Sequence, residues 1–231
     1  MLPSALNIRI VSATRRSEVD FHRETALGRS LARGFEGLPF LETVIFPENR
    51  EGLPALYNSV IRAAAAKPAV LLFIHDDVHL VDYYWPERLY AGLLEFEIVG
   101  LIGNRRRLPR QPSWCFKDEW FTWDDFEHMS GFIAHGSALP YKVTRFGLLG
   151  ECKILDGVFL AARSDHLLRH DLFFDEEFDF HFYDLDFCRQ AEAKGVRMGT
   201  IPISILHESG GGLRSPAWTE AYQRYLAKWG E

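Results

Sequence analysis

Two short acidic stretches and one late histidine carry the side chains best suited to chemistry. His75-Asp76-Asp77 directly follows the apolar run of residues 69–74, AVLLFI. Adjacent carboxylates repel one another, and a divalent cation would relieve that repulsion. Oxygen donors suit Mg2+ or Mn2+. Residues 174–186 read FDEEFDFHFYDLD, with six acids and five aromatics in 13 positions. Asp184 and Asp186 fall where a helix begins, so one of them is accounted for by capping and the macrodipole. The other, beside apolar rings that raise a carboxyl pKa, is a candidate general base. His207 closes a second apolar run, ISIL, and precedes Glu208-Ser209-Gly210-Gly211-Gly212. Those glycines allow close approach of a phosphate but match neither G-x-G-x-x-G nor a Walker loop. Arg105, Arg106, Arg107 and Arg110, followed by Trp114, Trp120 and Trp123, could hold phosphate and stack on sugar, or form a solvated loop.

The elements that must position these residues are legible from periodicity. Residues 8–13 are a short β-branched strand. Residues 17–33 read as one helix, with Ser17 and Asp20 spaced as a capping box. Residues 41–46 are a second strand. Pro54 sits in the first turn of a helix whose Leu53, Leu56, Tyr57, Val60 and Ala64 share a face. AVLLFI is apolar at every position, as in a strand covered on both faces. Residues 86–94 predict a helix and 98–102 a strand. The first 102 residues thus alternate β-α-β-α-β-α-β, which implies right-handed crossovers and a parallel sheet flanked by helices on both faces. Ligands bind such sheets beyond the carboxyl ends of the strands, where His75-Asp76-Asp77 lies. Residues 103–141 show no sustained period; a loop that long inside a domain is usually functional or disordered, and six aromatics between Trp114 and Phe126 argue against plain disorder. A strand follows at 157–162, a helix at 184–194 ended by Gly195, strands near Met198 and Ile205, and a helix over 217–229.

The composition sets outer limits. The chain has 231 residues, 32 acids against 26 bases and a net charge of -6. A general nucleic-acid partner is disfavoured by that balance. Cys115, Cys152 and Cys188 are far apart and form no CxxC pair, which excludes a zinc ribbon and fits reduced thiols in a reducing compartment. Residues 1–13 do not read as a signal peptide, and no apolar run approaches the ~20 residues of a membrane span. A cytoplasmic protein is expected, with peripheral membrane contact left open. Aromatics make up 14%, which points to a heavy core, a ring-lined cleft or both.

In their order along the chain these stretches resemble glycosyltransferases of the GT-A fold, family 2-like. The resemblance rests on IRIVSAT, ENREGLPALYNSVIRAA, FIHDDV, LDGVFLAARSD, FDEEFDFHFYDLDFCRQAEAKG and SILHESGG. FIHDDV looks like the D-x-D metal motif, and the acidic stretch like the end of the family's E-D-x-D pattern. The resemblance implies an α/β, Rossmann-like fold with a mostly parallel sheet. It implies one domain over 1–231, with a nucleotide-binding half over about 1–102 and an acceptor-side half over about 103–231. It implies Asp77 and His207 as ligands of Mn2+ or Mg2+, and Asp184 as general base. Ser12, Thr14, Glu48, Asn49 and Asp76 fall near the nucleotide, and Asp156 where sugar or acceptor approaches. The donor would be a nucleotide-diphosphate sugar and the acceptor a glycan, a lipid-linked group or a protein. The sequence departs from the pattern at two places: His75 stands for the first acid of D-x-D, and Tyr183 for the Glu of the E-D pair. H-x-D-V is closer to a bacterial-type subgroup. The processive Q-x-x-R-W signature is missing, so a non-processive, inverting enzyme is expected. The departures motivate an alternative, a catalytically silent nucleotide-sugar or glycan binder. A nucleotidyltransferase would open with a glycine-rich loop where this chain has SATRRSE, and a phosphoesterase would need further His and Asp ligands.

Overall fold

The computed structural model describes residues 7–35, 37–137, 141–209 and 212–231. Gly210 and Gly211 of the glycine run lie outside the described residues, as do residues 1–6.

The first half alternates as the sequence predicts. β1 (Ile8–Ala13), β2 (Leu41–Phe46) and β3 (Val70–Ile74) pair in parallel in the order β2-β1-β3. All five residues of β3 are buried; successive side chains point to opposite faces, so both faces of the sheet are covered there. The predicted helix over 17–33 is two helices, α1 (Glu18–Glu24) and α2 (Ala26–Gly34). Ser17 caps α1 by accepting from the Asp20 amide. Thr25, with extended backbone, ends α1 and caps α2 by accepting from the Gly28 amide at 3.0 Å. The caps explain the break: at each of the two helix starts one otherwise orphan amide finds a hydroxyl. α3 (Leu53–Ala63) and α4 (Trp85–Glu95) each carry proline in the first turn, where no intrahelical amide bond is lost. Between β3 and α4 lies the short β4 (Val78–Leu80).

The predicted strand over 98–102 divides. β5 (Ile98–Gly100) joins the first sheet, and β6 (Ile102–Asn104) a second one. The second half completes both. It supplies β7 (Met129–His135), β8 (Lys142–Gly147), β9 (Glu151–Cys152), β10 (Ile154–Leu155), β11 (Phe159–Arg163), α5 (Ser164–Arg169), α6 (Tyr183–Ala193), β12 (Met198–Thr200), β13 (Ile205–His207) and α7 (Pro216–Trp229). The larger sheet has the order β2-β1-β3-β11-β5-β12-β9. β11 runs antiparallel between β3 and β5, and β9 runs antiparallel to β12 at the edge, so the sheet stays mostly parallel with two reversed strands. The second sheet has the order β10-β6-β7-β13-β4, with β8 paired to β7.

The reversal of β11 matters for the site. Phe159 pairs with Ile74, so the residues just before β11, Asp156 and Gly157, lie beside His75 at the carboxyl end of β3. β13 pairs with both β4 and β7, which brings His207 to the same edge. The segment from 105 to 128 is folded back by a bridge between Phe116 and Trp123. Asp124 anchors it, accepting from Asn104 Nδ2 at 2.7 Å and pairing with Arg106. No helix among the described residues is long and apolar enough to cross a membrane.

Candidate functional site

Two clefts meet at the end of β3. The first, about 410 Å³, is lined by residues including His75, Asp77, Trp114, Asp156, Asp184 and His207. The second, about 460 Å³, is lined by Thr14, Asn49, Asp76 and Asp179 among others. Side chains alternate at a strand end, so Asp76 and Asp77 serve different clefts. Phe180 lines both; it is 50% exposed and stacks on His75 with centroids 5.6 Å apart.

His75, Asp77 and His207 place their donor atoms within 4.8 Å of one another. His207 Nε2 lies 3.3 Å from Asp77 Oδ1, yet that buried oxygen has no well-aligned hydrogen bond among the described residues. Burial would raise the Asp77 carboxyl, but contact with His207, and the charge that His207 and His75 carry when protonated, outweigh it and hold it at about 2. Burial pushes the His75 ring below the usual imidazole range, so it is neutral at pH 7. For His207 burial acts in the same direction, but the Asp77 carboxylate prevails and raises it. Two neutralisable imidazoles and one ionised carboxylate, with that buried oxygen in no well-aligned hydrogen bond among the described residues, form a donor set suited to a divalent cation. The sequence pattern treats His75 as a departure; the structure groups it with Asp77 and His207.

Asp184 lies in the first turn of α6. Its Oδ2 accepts from the Gly157 amide and its Oδ1 from the Leu185 amide, both at 2.9 Å. Burial, followed by the charge of Asp156, pushes its carboxyl up to about 7 against the opposing pull of those amides. A carboxyl that titrates near neutrality is tuned for proton transfer. Asp156 is oriented by Trp114 Nε1 at 2.6 Å and by the Val158 amide at 2.8 Å. Gly157 has to be glycine: a Cβ there would lie 2.2 Å from the Tyr183 hydroxyl and 3.1 Å from Asp184 Cβ. Phe182, immediately before α6, has φ 68. It is held there by stacking on Tyr222 of α7, with Trp218 and Tyr225 adjacent.

Asp186 takes the structural share of the acidic stretch. It is fully buried and accepts from Gln190, Trp229 Nε1 at 2.9 Å and Lys228 Nζ at 2.7 Å, tying α6 to α7. In the second cleft, the Asn49 amide donates to the Thr14 carbonyl at 2.8 Å, and Asn49 folds on itself through Glu51. The Asp76 carboxyl is raised, by burial first, and its backbone carbonyl accepts from Leu27 at the start of α2. Ser12 and Glu48 do not line this cleft. Ser12 is wholly buried in β1, its hydroxyl without a hydrogen bond among the described residues, and Glu48 is exposed at φ 49. The arginines offered as phosphate holders are otherwise engaged. Arg105 donates to the Leu148 carbonyl, Arg106 pairs with Asp124, Arg107 with Glu192 and Arg110 with Glu119.

A family model described as glycosyltransferase-like matches residues 42–219. Among curated proteins, none matches. A crystal structure of GalNAc-T7 with UDP, GalNAc and Mn2+ aligns at 12% identity and TM-score 0.55, over 97% of this chain and 48% of that one. The chain therefore spans about half the length of that protein. A197 from STIV aligns at 10% identity and TM-score 0.47, over 91% of this chain and 98% of that one.

Proposed function

Since this chain belongs to the glycosyltransferase-like family and has the GT-A fold, we propose that the paired clefts transfer a sugar from a nucleotide-diphosphate donor to an acceptor hydroxyl, with inversion and without processivity. The observation that carries the reading is the Asp184 carboxyl, poised at about 7 in the same cleft as the three-donor cluster.

The nucleotide belongs in the cleft of Thr14, Asn49 and Asp76, and the diphosphate at the boundary marked by Phe180. GalNAc-T7, which shares the fold, is described with UDP and Mn2+; that supports a uridine donor and Mn2+ here. His75, Asp77 and His207 would hold the cation. When bound, it supplies positive charge against the departing diphosphate. Asp184 takes the proton of the acceptor hydroxyl as that oxygen attacks the anomeric carbon from the face opposite the leaving group. Asp156, with both oxygens fixed by N–H donors, accepts from a sugar hydroxyl. Trp114 and Phe182 exclude water from one wall of this cleft.

The whole chain then works as one unit, with the nucleotide side drawn from about 1–102 and the acceptor side from about 103–231. All three cysteines are free and buried, which supports a reducing, cytoplasmic setting. A thermal-shift screen with UDP, GDP, CMP and dTDP, each with and without Mn2+, tests the reading. One nucleotide is expected to raise Tm in a Mn2+-dependent way; no shift with any of the four would overturn it. The silent-binder alternative shares the nucleotide shift and separates from it only by lacking turnover.

A further inference from the structure

His75 and Tyr183 are 108 residues apart in sequence, yet His75 Nε2 lies 3.1 Å from the Tyr183 hydroxyl. That hydroxyl also donates to the Gly157 carbonyl at 3.0 Å. A phenol has one proton. With that proton on the Gly157 carbonyl, the phenol oxygen can only accept from the ring, so His75 carries its proton on Nε2. The free lone pair is then on Nδ1. The reverse arrangement would leave the Gly157 carbonyl without the tyrosine's proton, at the cost of an unmet acceptor.

The hydroxyl cannot drift from this position. The Tyr183 ring is wedged between Tyr57 and Phe174, at centroid separations of 6.0 and 5.8 Å, and its oxygen fills the space that a Cβ on Gly157 would need. Phe180 covers a face of the His75 ring. One side chain thus sets the tautomer and another restrains the plane of the imidazole.

We propose that Tyr183 is a positioning residue, holding His75 as the Nε2–H tautomer so that Nδ1 is presented to a divalent cation alongside Asp77 and His207. The inference rests on the cation reading of that cluster. Partners of this kind commonly fix ligand histidines, and their removal costs 10–100-fold in metal affinity. The two positions at which the sequence leaves the glycosyltransferase pattern are therefore one linked feature: the imidazole at 75 is usable as a ligand because a phenol at 183 receives its other proton.

The test is Mn2+ affinity, read from the electron paramagnetic resonance of free Mn2+ with and without UDP, for wild type, Tyr183→Phe, His75→Ala and the double variant. Tyr183→Phe should weaken Mn2+ binding by about 10–100-fold, and the double variant should be no weaker than His75→Ala alone. Wild-type affinity in Tyr183→Phe, or losses that add in the double variant, would overturn the role. Wild type that binds no Mn2+ would refute the cation reading itself and this inference with it. A long-range 1H–15N spectrum of the metal-free wild type needs no variant: Nε2–H at His75 is expected, and Nδ1–H would overturn the assignment.

Discussion

Replacing Asp184 by asparagine should stabilise the protein while silencing it. The carboxyl titrates at about 7 against an ordinary 3.8, so the folded state keeps a proton that the unfolded chain loses. Between those values the folded state binds more protons, and stability falls as pH rises through the window. The raised carboxyl therefore costs the folded state about 4 kcal/mol at pH 8 and about 1–2 kcal/mol at pH 5. Asparagine has no such cost. It keeps one acceptor for the two amides of Gly157 and Leu185, and losing the other costs about 1.5 kcal/mol. The net gain is about 2–3 kcal/mol at pH 8, or about 5–10 °C in Tm, falling to about zero at pH 5. Thermal melts of both proteins from pH 5 to 8 in metal-free buffer measure it. Glycosyl transfer should fall by about 10²–10⁴-fold, with nucleotide binding retained. In the wild type kcat/KM should rise with pH to a plateau above about 7. A Tm difference flat in pH would refute the raised carboxyl, and unimpaired turnover in the variant would remove Asp184 as base.

Three further outcomes follow from the same geometry. Two imidazoles and one carboxylate are a softer donor set than paired carboxylates, so Mn2+ or Co2+ should support activity better than Mg2+ at equal concentration; initial rates with each metal decide this. Asp186→Ala leaves Lys228 and Trp229 without their buried acceptor and should cost about 3 kcal/mol in urea unfolding. Gly157→Ala drives a methyl into the Tyr183 hydroxyl and crowds Asp184; turnover should drop at least tenfold, about 1.4 kcal/mol, with little change in nucleotide binding.

What the sequence disclosed and what it hid follow from the range of the interactions involved. β1, β3, α3 and α4 are periodic or continuously apolar, and each stands close to its predicted place. The second sheet is hidden because β4, β6 and β10 are two or three residues long, and because the register of β7 shifts at Gly131/Phe132, where Gly131 has φ 100. No window registers alternation that short or broken. The break at Thr25 lay in its capping hydroxyl, in plain view but outvoted by the amphipathic run around it. In the site, the order of motifs placed Asp77, His207, Asp156 and Asp184 in one cleft. The hydrogen bond from His75 to Tyr183 could not be read, because it joins distant segments that only the reversed strand β11 brings together. The ion-pair partners of the arginines at 105–110, Asp124, Glu192 and Glu119, are hidden in the sequence for a similar reason: they meet those arginines only in the folded chain.

The central claim is that this cleft turns over a nucleotide sugar through Asp184 with the aid of a divalent cation. The most direct measurement is nucleotide release from a panel of nucleotide-diphosphate sugars, with mono- and oligosaccharide, lipid-linked and peptide acceptors, in Mn2+, in EDTA, and in EDTA followed by excess Mn2+. Turnover of one donor that vanishes in EDTA and returns with Mn2+ is the predicted result. Mn2+-dependent nucleotide binding with no release from any donor would contradict it and leave the protein a binder of nucleotide sugars.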